Sequence, residues 1–487
     1  MQEQKKRLGN YGKQMEYGQT GAIAFDEIDR NRESFVELAK HIWEKPEPAY
    51  KEFSASEWTA ELLEKFGFQV TRKAYGIPTA IRAVWGNGHP VIGLLGEYDA
   101  LANLSQKAKP EKEPVEGQKY GHACGHNLLG TGHLAAVVGI KKEMEEKHLP
   151  GTVIFYGCPA EEDGTGKGLM AKNGAFRECD AAMAYHPSWF SYIFTGGKAG
   201  VHSVRAEFFG KSSHSGSSPQ NGRSALLAAD MVKFAVTMIH EQLPPGSSIH
   251  AAVADGGFLP GQIPAYAKMN LSIKALNTQD MEVLHRRVEK ILEAVAQITE
   301  TEVKWERRGG CSPLLNNKVL AEIAYEAMKE APQEIWDKEE IEFARKLNQT
   351  TPIQYEKKLK EASAEGSDMQ LLEGVLPMRE FDTNGCTDVG DVSRLVPTIF
   401  FKVCCYAMGT NGHTWQAAAC SGSSLGMKGM IFAAKILALA GIKLMENPEI
   451  VRRAKAEFDR ETEGQPYVTS LPDHFLNEVI KISESPL

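Results

Sequence analysis

At 487 residues the chain is too long for a single hydrophobic core, so we expect two domains. Hydrophobic residues make up 42% and charged residues 24%, a balance that is typical of a globular protein and excludes a wholly disordered chain. The net charge of -8 gives no overall basic character for contacting phosphates, which argues against a nucleic-acid-binding protein.

Three features of the sequence bear on its compartment. No apolar run reaches the roughly 18 residues that span a bilayer, so we expect no membrane segment. The N-terminal stretch MQEQKKRLGNYGKQMEYGQT is polar and lacks the apolar core of a secretion signal. Eight cysteines are too few for a disulfide scaffold in this length, and Cys404 and Cys405 are adjacent. We therefore expect a reduced, cytoplasmic protein.

The first 200 residues alternate between helical and strand patterns. Apolar residues near 3.6-residue spacing predict a helix from Phe25 to Glu44, a second from Ser54 to Phe66 and a third over 127–147. The predicted strands of this part are Phe68–Arg72, Thr79–Trp85, Val91–Leu95, Thr152–Tyr156 and Ala181–Tyr185. Because several of these strands are apolar throughout, we predict an α/β fold with a mainly parallel sheet flanked by helices.

From about residue 200 the pattern changes to that of an α+β insert. Helices over Ser224–Glu241 and Met281–Thr299 lie among four predicted strands, which are His202–Phe209, His250–Ala254, Tyr266–Ala275 and Glu302–Glu306. The main sheet resumes near 312, and its predicted parts are a helix at Asn316–Glu330, a charged surface excursion over 332–366, a strand at Thr398–Val403 and a long helix at Gln416–Leu444. We place the domains at 1–200, 201–311 and 312–487, the first and last forming one domain.

Polar residues follow the predicted strands of the main sheet where each strand ends. Ligands of α/β sheets bind at the carboxyl ends of the strands. The residues found there, or in a loop before a helix of the same half, are Asp99, Cys124, His126, Glu161, Glu162, His186 and His413. Thiolate, imidazole and carboxylate together form a ligand set that suits zinc, manganese and similar metals.

Each of these motifs taken alone also has a structural explanation. A turn containing Gly125 can bring Cys124 and His126 together, but it can equally be a loop with a buried cysteine. Adjacent carboxylates such as Glu161 and Glu162 usually mark a solvated turn, and a lone histidine is more often a hydrogen-bonded structural residue. The conjunction of all of them at one sheet edge is what predicts a metal site.

With these motifs, the chain resembles the aminoacylase/carboxypeptidase-type di-metal peptidase family, in particular its Cys-Gly-His amidohydrolase branch and the aminobenzoyl-glutamate hydrolase subunit group. The stretches that carry the resemblance are Gly76–Thr79, Gly96–Leu101, His122–Asn127, Pro159–Gly164, Gly210–Ser215, Thr387–Ser393 and His413–Trp415. They extend over nearly the whole chain in the order of the family.

The resemblance implies a role for each candidate residue. Cys124 would bridge two divalent ions, zinc or manganese. His126 and His186 would complete the coordination of one ion, and Glu162 and His413 that of the other. Glu161 would be the general base, Asp99 would orient a ligand, and His214 of the inserted lid domain would reach the substrate carbonyl, often from a partner subunit.

The chain departs from the family pattern at three positions. Asn127 follows the Cys-Gly-His motif where Asp is frequent, and Gly261 stands where Asn often precedes the Ile-Pro pair. Lys274 stands where the lid commonly offers Arg, so a point charge replaces a bidentate fork for the substrate carboxylate. The departures therefore concern substrate recognition and leave the hydrolytic residues intact.

The function implied is that of a metal-dependent hydrolase cleaving N-acyl or N-aroyl amino acids, such as aminobenzoyl-glutamate, through a metal-activated water. A dipeptidase of the same fold is an alternative, as is a non-catalytic binding protein on this scaffold. A cysteine hydrolase with Cys124 as nucleophile would leave the glutamate pair and the extra histidines without a purpose. The resemblance further implies a small-molecule substrate and a homodimer formed through the lid domain, with a related second subunit also possible.

Overall fold

The computed structural model describes residues 20–486. The polar N-terminal stretch, in which we predict no secretion signal, lies outside the described residues except for Thr20. The strands in chain order are β1 (Gln69–Arg72), β2 (Ile81–Asn87), β3 (Val91–Glu97), β4 (Leu101–Ala102), β5 (Tyr120–Gly121), β6 (Gly151–Cys158), β7 (Ala181–Ser188), β8 (Gly200–Phe209), β9 (Ser213–His214), β10 (Ser248–Asp255), β11 (Gln262–Ile263), β12 (Tyr266–Ala275), β13 (Glu302–Cys311) and β14 (Thr398–Cys404).

The α-helices of the described residues surround these strands. In chain order they are α1 (Ala22–Arg30), α2 (Arg32–Glu44), α3 (Phe53–Lys65), α4 (His126–Lys147), α5 (Gly166–Lys172), α6 (Ala225–Met238), α7 (Thr278–Thr299), α8 (Lys318–Glu330), α9 (Lys338–Gln349), α10 (Pro352–Glu361), α11 (Val389–Ser393), α12 (Trp415–Ser421), α13 (Ser424–Glu446), α14 (Pro448–Thr462) and α15 (Phe475–Glu484).

The main sheet of residues 20–486 has six strands in the order β1-β2-β6-β3-β7-β14. Strands β6, β3, β7 and β14 run parallel, and β1 and β2 extend one edge in antiparallel pairing. Every residue of β3 and β6 is buried, as expected for strands covered by helices on both faces. The prediction of an α/β fold with a mainly parallel sheet is confirmed.

The longest helix of the core, α13, is by length and composition apolar enough to cross a membrane, although Lys428, Lys435 and Lys443 interrupt its apolar residues and no uninterrupted apolar run reaches that length. However, 94% of its most apolar window is buried inside the protein, where it packs against α4 and the sheet. Its apolar residues are therefore explained by the core of this domain.

The insert forms a second, antiparallel sheet, which lies wholly within the described residues and has the strand order β10-β12-β8-β13. Burial alternates residue by residue along β8, so one face of this sheet is covered. Helices α6 and α7 cover that face with a separate hydrophobic core, which includes Val204, Phe208 and Leu284. The predicted α+β character is confirmed, whereas the exact domain boundaries stay a prediction.

Three predicted elements differ from the structure. The helix expected over Phe25–Glu44 is interrupted at Asn31, which ends α1 and begins α2. The helix expected over Gln416–Leu444 is interrupted at Gly422, where a Cβ atom would lie 2.3 Å from the Trp43 ring. The excursion over 332–366 contains α9 and α10, whose buried side chains pack against the main domain.

Candidate metal centre

Cys124 and His126 flank a glycine turn that begins α4. Gly125 has a φ of 78°, in the left-handed region that favours glycine, and it serves as the N-cap of the helix. The turn brings the Cys124 Sγ atom to 3.2 Å from the Nε2 atom of His186 at the end of β7. The ligand atoms of Cys124, His126 and His186 all lie within 4.8 Å of one another.

A second group of potential ligands shares the same thiol. The ligand atoms of Cys124, Glu162 and His413 also lie within 4.8 Å of one another. His413 Nε2 lies 3.4 Å from Glu162 Oε2, and the His413 backbone N–H donates to the Ala123 carbonyl at 2.9 Å. Cys124 therefore belongs to two neighbouring groups, each with a donor set that suits a borderline metal.

A third group contains Glu97, which is not among the site residues predicted from the sequence. Glu97 Oε2 lies 3.4 Å from His126 Nε2, and Glu161 Oε2 lies 3.8 Å from the same nitrogen. Glu97 ends β3, whose seven residues are all buried. A carboxylate at the end of a fully apolar strand was the signal in the sequence that could have identified it.

The parallel pairing of the main sheet explains why these groups meet. The neighbouring strands β6, β3, β7 and β14 all point their carboxyl ends to the same edge. Glu161 and Glu162 follow β6, Glu97 ends β3, His186 lies in β7, and His413 lies in the loop after β14. This edge is where α/β proteins bind their ligands.

The two imidazoles of the first group are held with Nε2 facing the cluster. His126 Nδ1 donates to Asp99 Oδ1 at 2.8 Å, and His186 Nδ1 donates to the Pro187 carbonyl at 2.7 Å. Asp99 also accepts the Glu162 backbone N–H at 2.9 Å. Although burial raises the pKa of Asp99, the charge and hydrogen bond of His126 outweigh it and lower that pKa. Asp99 thus orients two potential ligands at once.

A strained loop carries the glutamate pair. Ala160, directly before Glu161, has a φ of 56°, which is uncommon for a residue with a side chain. Its backbone N–H donates to the buried carboxylate of Glu52 at 2.9 Å, and the Thr79 hydroxyl donates to the same carboxylate at 2.7 Å. These contacts hold the loop in a conformation that directs Glu161 and Glu162 toward the cluster.

The cluster contains three unsatisfied buried atoms that fit a divalent cation. Among the described residues, Glu97 Oε2, His126 Nε2 and Glu162 Oε1 are buried without a hydrogen-bond partner. Burial, followed by the charge of Glu162, raises the pKa of Cys124 to about 12, and burial raises that of Glu162 to about 8. Such groups ionise when a divalent cation neutralises them, so the residues present fit metal ions.

Lys167, in α5, provides a buried positive charge behind the cluster. Its Nζ atom lies 2.5 Å from Glu97 Oε1 and 2.5 Å from Asp388 Oδ1, and all three side chains are almost fully buried. Asp388 also accepts the backbone N–H of Lys167 at 2.8 Å. The stretch Thr387–Ser393, noted in the sequence, therefore includes the counter-ion of this lysine.

His214 and Lys274 lie in the insert, away from these contacts. His214, in β9, is exposed, and its Nδ1 accepts the N–H groups of Gly216 and Ser217 at 3.1 Å each. Within residues 20–486 of one chain, no hydrogen bond or ion pair joins His214 or Lys274 to the cluster. Lys274, in β12, is a neighbour of Cys386 instead. The roles of both residues stay predictions.

Comparisons with known proteins agree on one family. The peptidase dimerisation domain model matches residues 196–300. A subunit of the p-aminobenzoyl-glutamate hydrolase of Escherichia coli is 35% identical over 472 residues, which cover 94% of this chain and 98% of that protein. The Xaa-Arg dipeptidase of Homo sapiens is 28% identical and covers 91% of this chain and 93% of that protein. A Bacillus subtilis dinuclear metal binding peptidase from the M20 family has the same fold, with a TM-score of 0.57 at 16% identity over 86% of this chain and 99% of that one.

Proposed function

Because the chain belongs to the M20 peptidase family and is an amide-bond hydrolase, we propose that it cleaves N-acyl or N-aroyl amino acids such as aminobenzoyl-glutamate. The observation that carries the proposal is the sharing of Cys124 by two groups of buried ligand atoms. A bridging thiolate between two ions is the arrangement that these two groups can build.

The proposed ligand assignment follows the two groups. Cys124 would bridge the two ions, His126 and His186 would complete the coordination of one, and Glu162 and His413 would complete that of the other. Zinc is favoured by the thiolate, and manganese is the alternative. Two bound divalent ions supply a water of lowered pKa and a polarised carbonyl.

We assign the proton transfers of the reaction to Glu161. Its carboxylate lies 3.8 Å from His126 Nε2 and is not among the ligand atoms shared with Cys124. In our proposal it takes a proton from the attacking water and passes it to the leaving amine. His214 donates to the oxygen that becomes negative, and Lys274 binds a substrate carboxylate.

We further propose a cytoplasmic homodimer that forms through the insert. The segment that matches the dimerisation domain, residues 196–300, lies almost wholly in the insert. Its helix α6 exposes the large apolar side chains of Leu227, Phe234 and Met238, which a partner would cover. A related second subunit is the alternative, because the relative from Escherichia coli is itself named as a subunit.

A dipeptidase is the second candidate, on the strength of the human relative. The two candidates differ in the charge that their substrates present, since the leaving group named for that relative is a cationic arginine. A cysteine hydrolase is disfavoured because burial raises the pKa of Cys124 to about 12, which makes the free thiol a poor nucleophile.

Two variants test the roles proposed for Glu161 as the base and Cys124 as the bridging ligand. With an N-aroyl glutamate as substrate, Glu161→Gln should lower kcat by about 10²–10⁴-fold because the proton acceptor is lost. Its metal content, measured by elemental analysis, should equal that of the wild type. Cys124→Ala should instead lose metal and activity together. Wild-type kcat in Glu161→Gln would refute the role of the base, and full metal occupancy in Cys124→Ala would refute the bridging thiolate.

A further inference from the structure

A buried lysine, Lys198, and a half-buried lysine, Lys402, lie beside the candidate metal centre. The Nζ atoms of Lys198 and Lys402 lie over the ring of Phe400, at 4.6 and 5.3 Å from its centroid. The centroid of the His186 ring lies 6.0 Å from that of the same phenylalanine. Both ammonium groups and a candidate metal ligand are therefore neighbours of one aromatic ring.

The backbone pairing determines where both lysines lie. Lys402, in β14, pairs directly with His186 in the parallel strand β7, so the two side chains leave the same face of the sheet. Lys198 lies in the segment between the main domain and the insert, where its backbone bridges to Thr383 and Leu314. It is only 8% exposed. Neither residue is a mobile surface lysine.

Neither Lys198 nor Lys402 forms an ion pair within the described part of the chain. Within residues 20–486, no carboxylate oxygen lies within 4.0 Å of Nζ of Lys198 or Lys402, whereas the nearby Lys167 has two such partners. A buried charge is costly unless it is paired. An anionic group from outside the chain would supply the missing partner.

Lys198 and Lys274 both lie near Cys386. A hydrogen bond with Cys311, and then the positive charges of Lys274 and Lys198, lower the pKa of Cys386 to about 7. The Cε atom of Lys198 lies 3.7 Å from the position that a Cβ would take at Gly385. The ammonium groups of Lys402, Lys198 and Lys274 thus extend from the metal centre to the insert. Their combined positive charge is more than one carboxylate can neutralise.

We propose that Lys198 and Lys402 bind a second carboxylate of the substrate, on its side chain, so that the preferred substrates are N-acyl derivatives of a dicarboxylic amino acid. The proposal rests on the amidohydrolase function proposed above, in which Lys274 binds the first carboxylate. It also disfavours a leaving group with a cationic side chain, which these ammonium groups would repel.

The test compares three substrates that differ only in their carboxylates. They are N-benzoyl-glutamate, N-benzoyl-glutamine, which lacks the side-chain carboxylate, and the α-amide of N-benzoyl-glutamate, which lacks the other. The wild type should prefer the glutamate derivative to the glutamine derivative. Lys198→Met and Lys402→Met should each lower this ratio of kcat/KM by about 10–100-fold, mainly through KM, because a charge-assisted hydrogen bond is lost.

Lys304→Met is the matched control. Lys304 also lies over a phenylalanine, with its Nζ 5.1 Å from the Phe209 centroid, but it is exposed on the insert and outside the proposed site. This variant should keep the wild-type preference. Lys402→Arg, which keeps the charge, should retain most of the preference and separates charge from packing.

Each outcome decides a different question. Unchanged preference for glutamate over glutamine in both Lys198→Met and Lys402→Met overturns the inference while the amidohydrolase function stands. If the lysine variants lose only the preference for N-benzoyl-glutamate over its α-amide, the assignment of these lysines to the side-chain carboxylate is overturned. No hydrolysis of any of the three substrates by the metal-loaded wild type contradicts the proposed function itself. Calorimetric titration of Glu161→Gln, with and without Lys402→Met, checks the same preference in binding alone.

Discussion

Among single residues, the buried Lys167 positions a carboxylate beside the candidate metal centre. Its ammonium group pairs with one oxygen of Glu97 and one of Asp388, each at 2.5 Å. The other oxygen of Glu97 is then free to face His126 Nε2 at 3.4 Å. A buried ion pair of this kind adds little net stability when intact but is costly to break. Lys167 therefore holds a carboxylate in place beside the cluster.

Removal of the Lys167 charge should destabilise the protein strongly. Lys167→Met leaves the buried carboxylates of Glu97 and Asp388 without their partner, which costs about 3–5 kcal/mol. The measurement is the free energy of unfolding by urea denaturation. Lys172→Met is a matched control in the same helix, because Lys172 pairs with an exposed aspartate, Asp473, and its loss costs about 1 kcal/mol or less. Equal effects of the two substitutions would contradict the importance of the buried network.

At the scale of elements, the decisive feature is a turn joined to a helix. Residues at positions i and i+2 of a helix point in different directions, so Cys124 and His126 can converge only because α4 begins between them. The left-handed conformation of Gly125 makes this start possible. Pro187 and the hydroxyl of Tyr406, which lie at the ends of neighbouring strands, leave no space for a side chain at Gly125.

A side chain at Gly125 should therefore weaken metal binding. In Gly125→Ala the new Cβ would lie 2.4 Å from the Tyr406 hydroxyl, and the left-handed backbone costs roughly 1–2 kcal/mol for a non-glycine residue. We expect the metal affinity, measured by competition with a chelator, to fall about 10-fold or more. Gly117→Ala is the control, because Gly117 has a similar φ of 76° but open space around it. Wild-type affinity in Gly125→Ala would show that the turn tolerates a side chain.

In the whole molecule, the proposed functional residues are divided between the main domain and the insert. The cluster lies in the main domain, whereas His214 and Lys274 belong to the insert and form no hydrogen bond or ion pair with the cluster within residues 20–486 of one chain. The apolar surface of α6 and the match to a dimerisation domain favour a pair of chains. In such a dimer, the insert of one chain can complete the site of the other.

Complementation between two defective chains tests this arrangement. Glu161→Gln and His214→Ala should each be nearly inactive alone. Co-expressed, they should recover roughly a quarter of wild-type activity, because half of the dimers are mixed and each of these has one intact site. The control pairs Glu161→Gln with Cys124→Ala, which lie in the same domain and leave every site defective. Recovery no greater than in the control would show that His214 does not act on a partner.

Much of the fold follows from local pattern. The strand Tyr266–Ala275 has the predicted bounds, and Thr398–Val403 is one residue shorter than its strand, because alternation and apolar runs are local properties of the chain. The candidate ligands Cys124, His186 and His413 are predicted in the same way, since Cys124 precedes a recognisable helix and the two histidines follow recognisable strands. Their proximity in the structure agrees with a shared site, while their individual roles stay predictions.

Local patterns in the sequence predict most of the element types, the α/β and α+β character of the two parts, and the edge of the sheet where polar groups collect. Three features are visible only in the folded chain: Glu97 joins the cluster, Lys167 is its buried counter-ion, and Lys198 and Lys402 share a ring beside it. Periodicity relates residues that are only a few positions apart in the chain. Burial and ion pairing, by contrast, depend on partners such as Lys167 and Asp388, which are 221 positions apart in the chain and meet only in the folded protein.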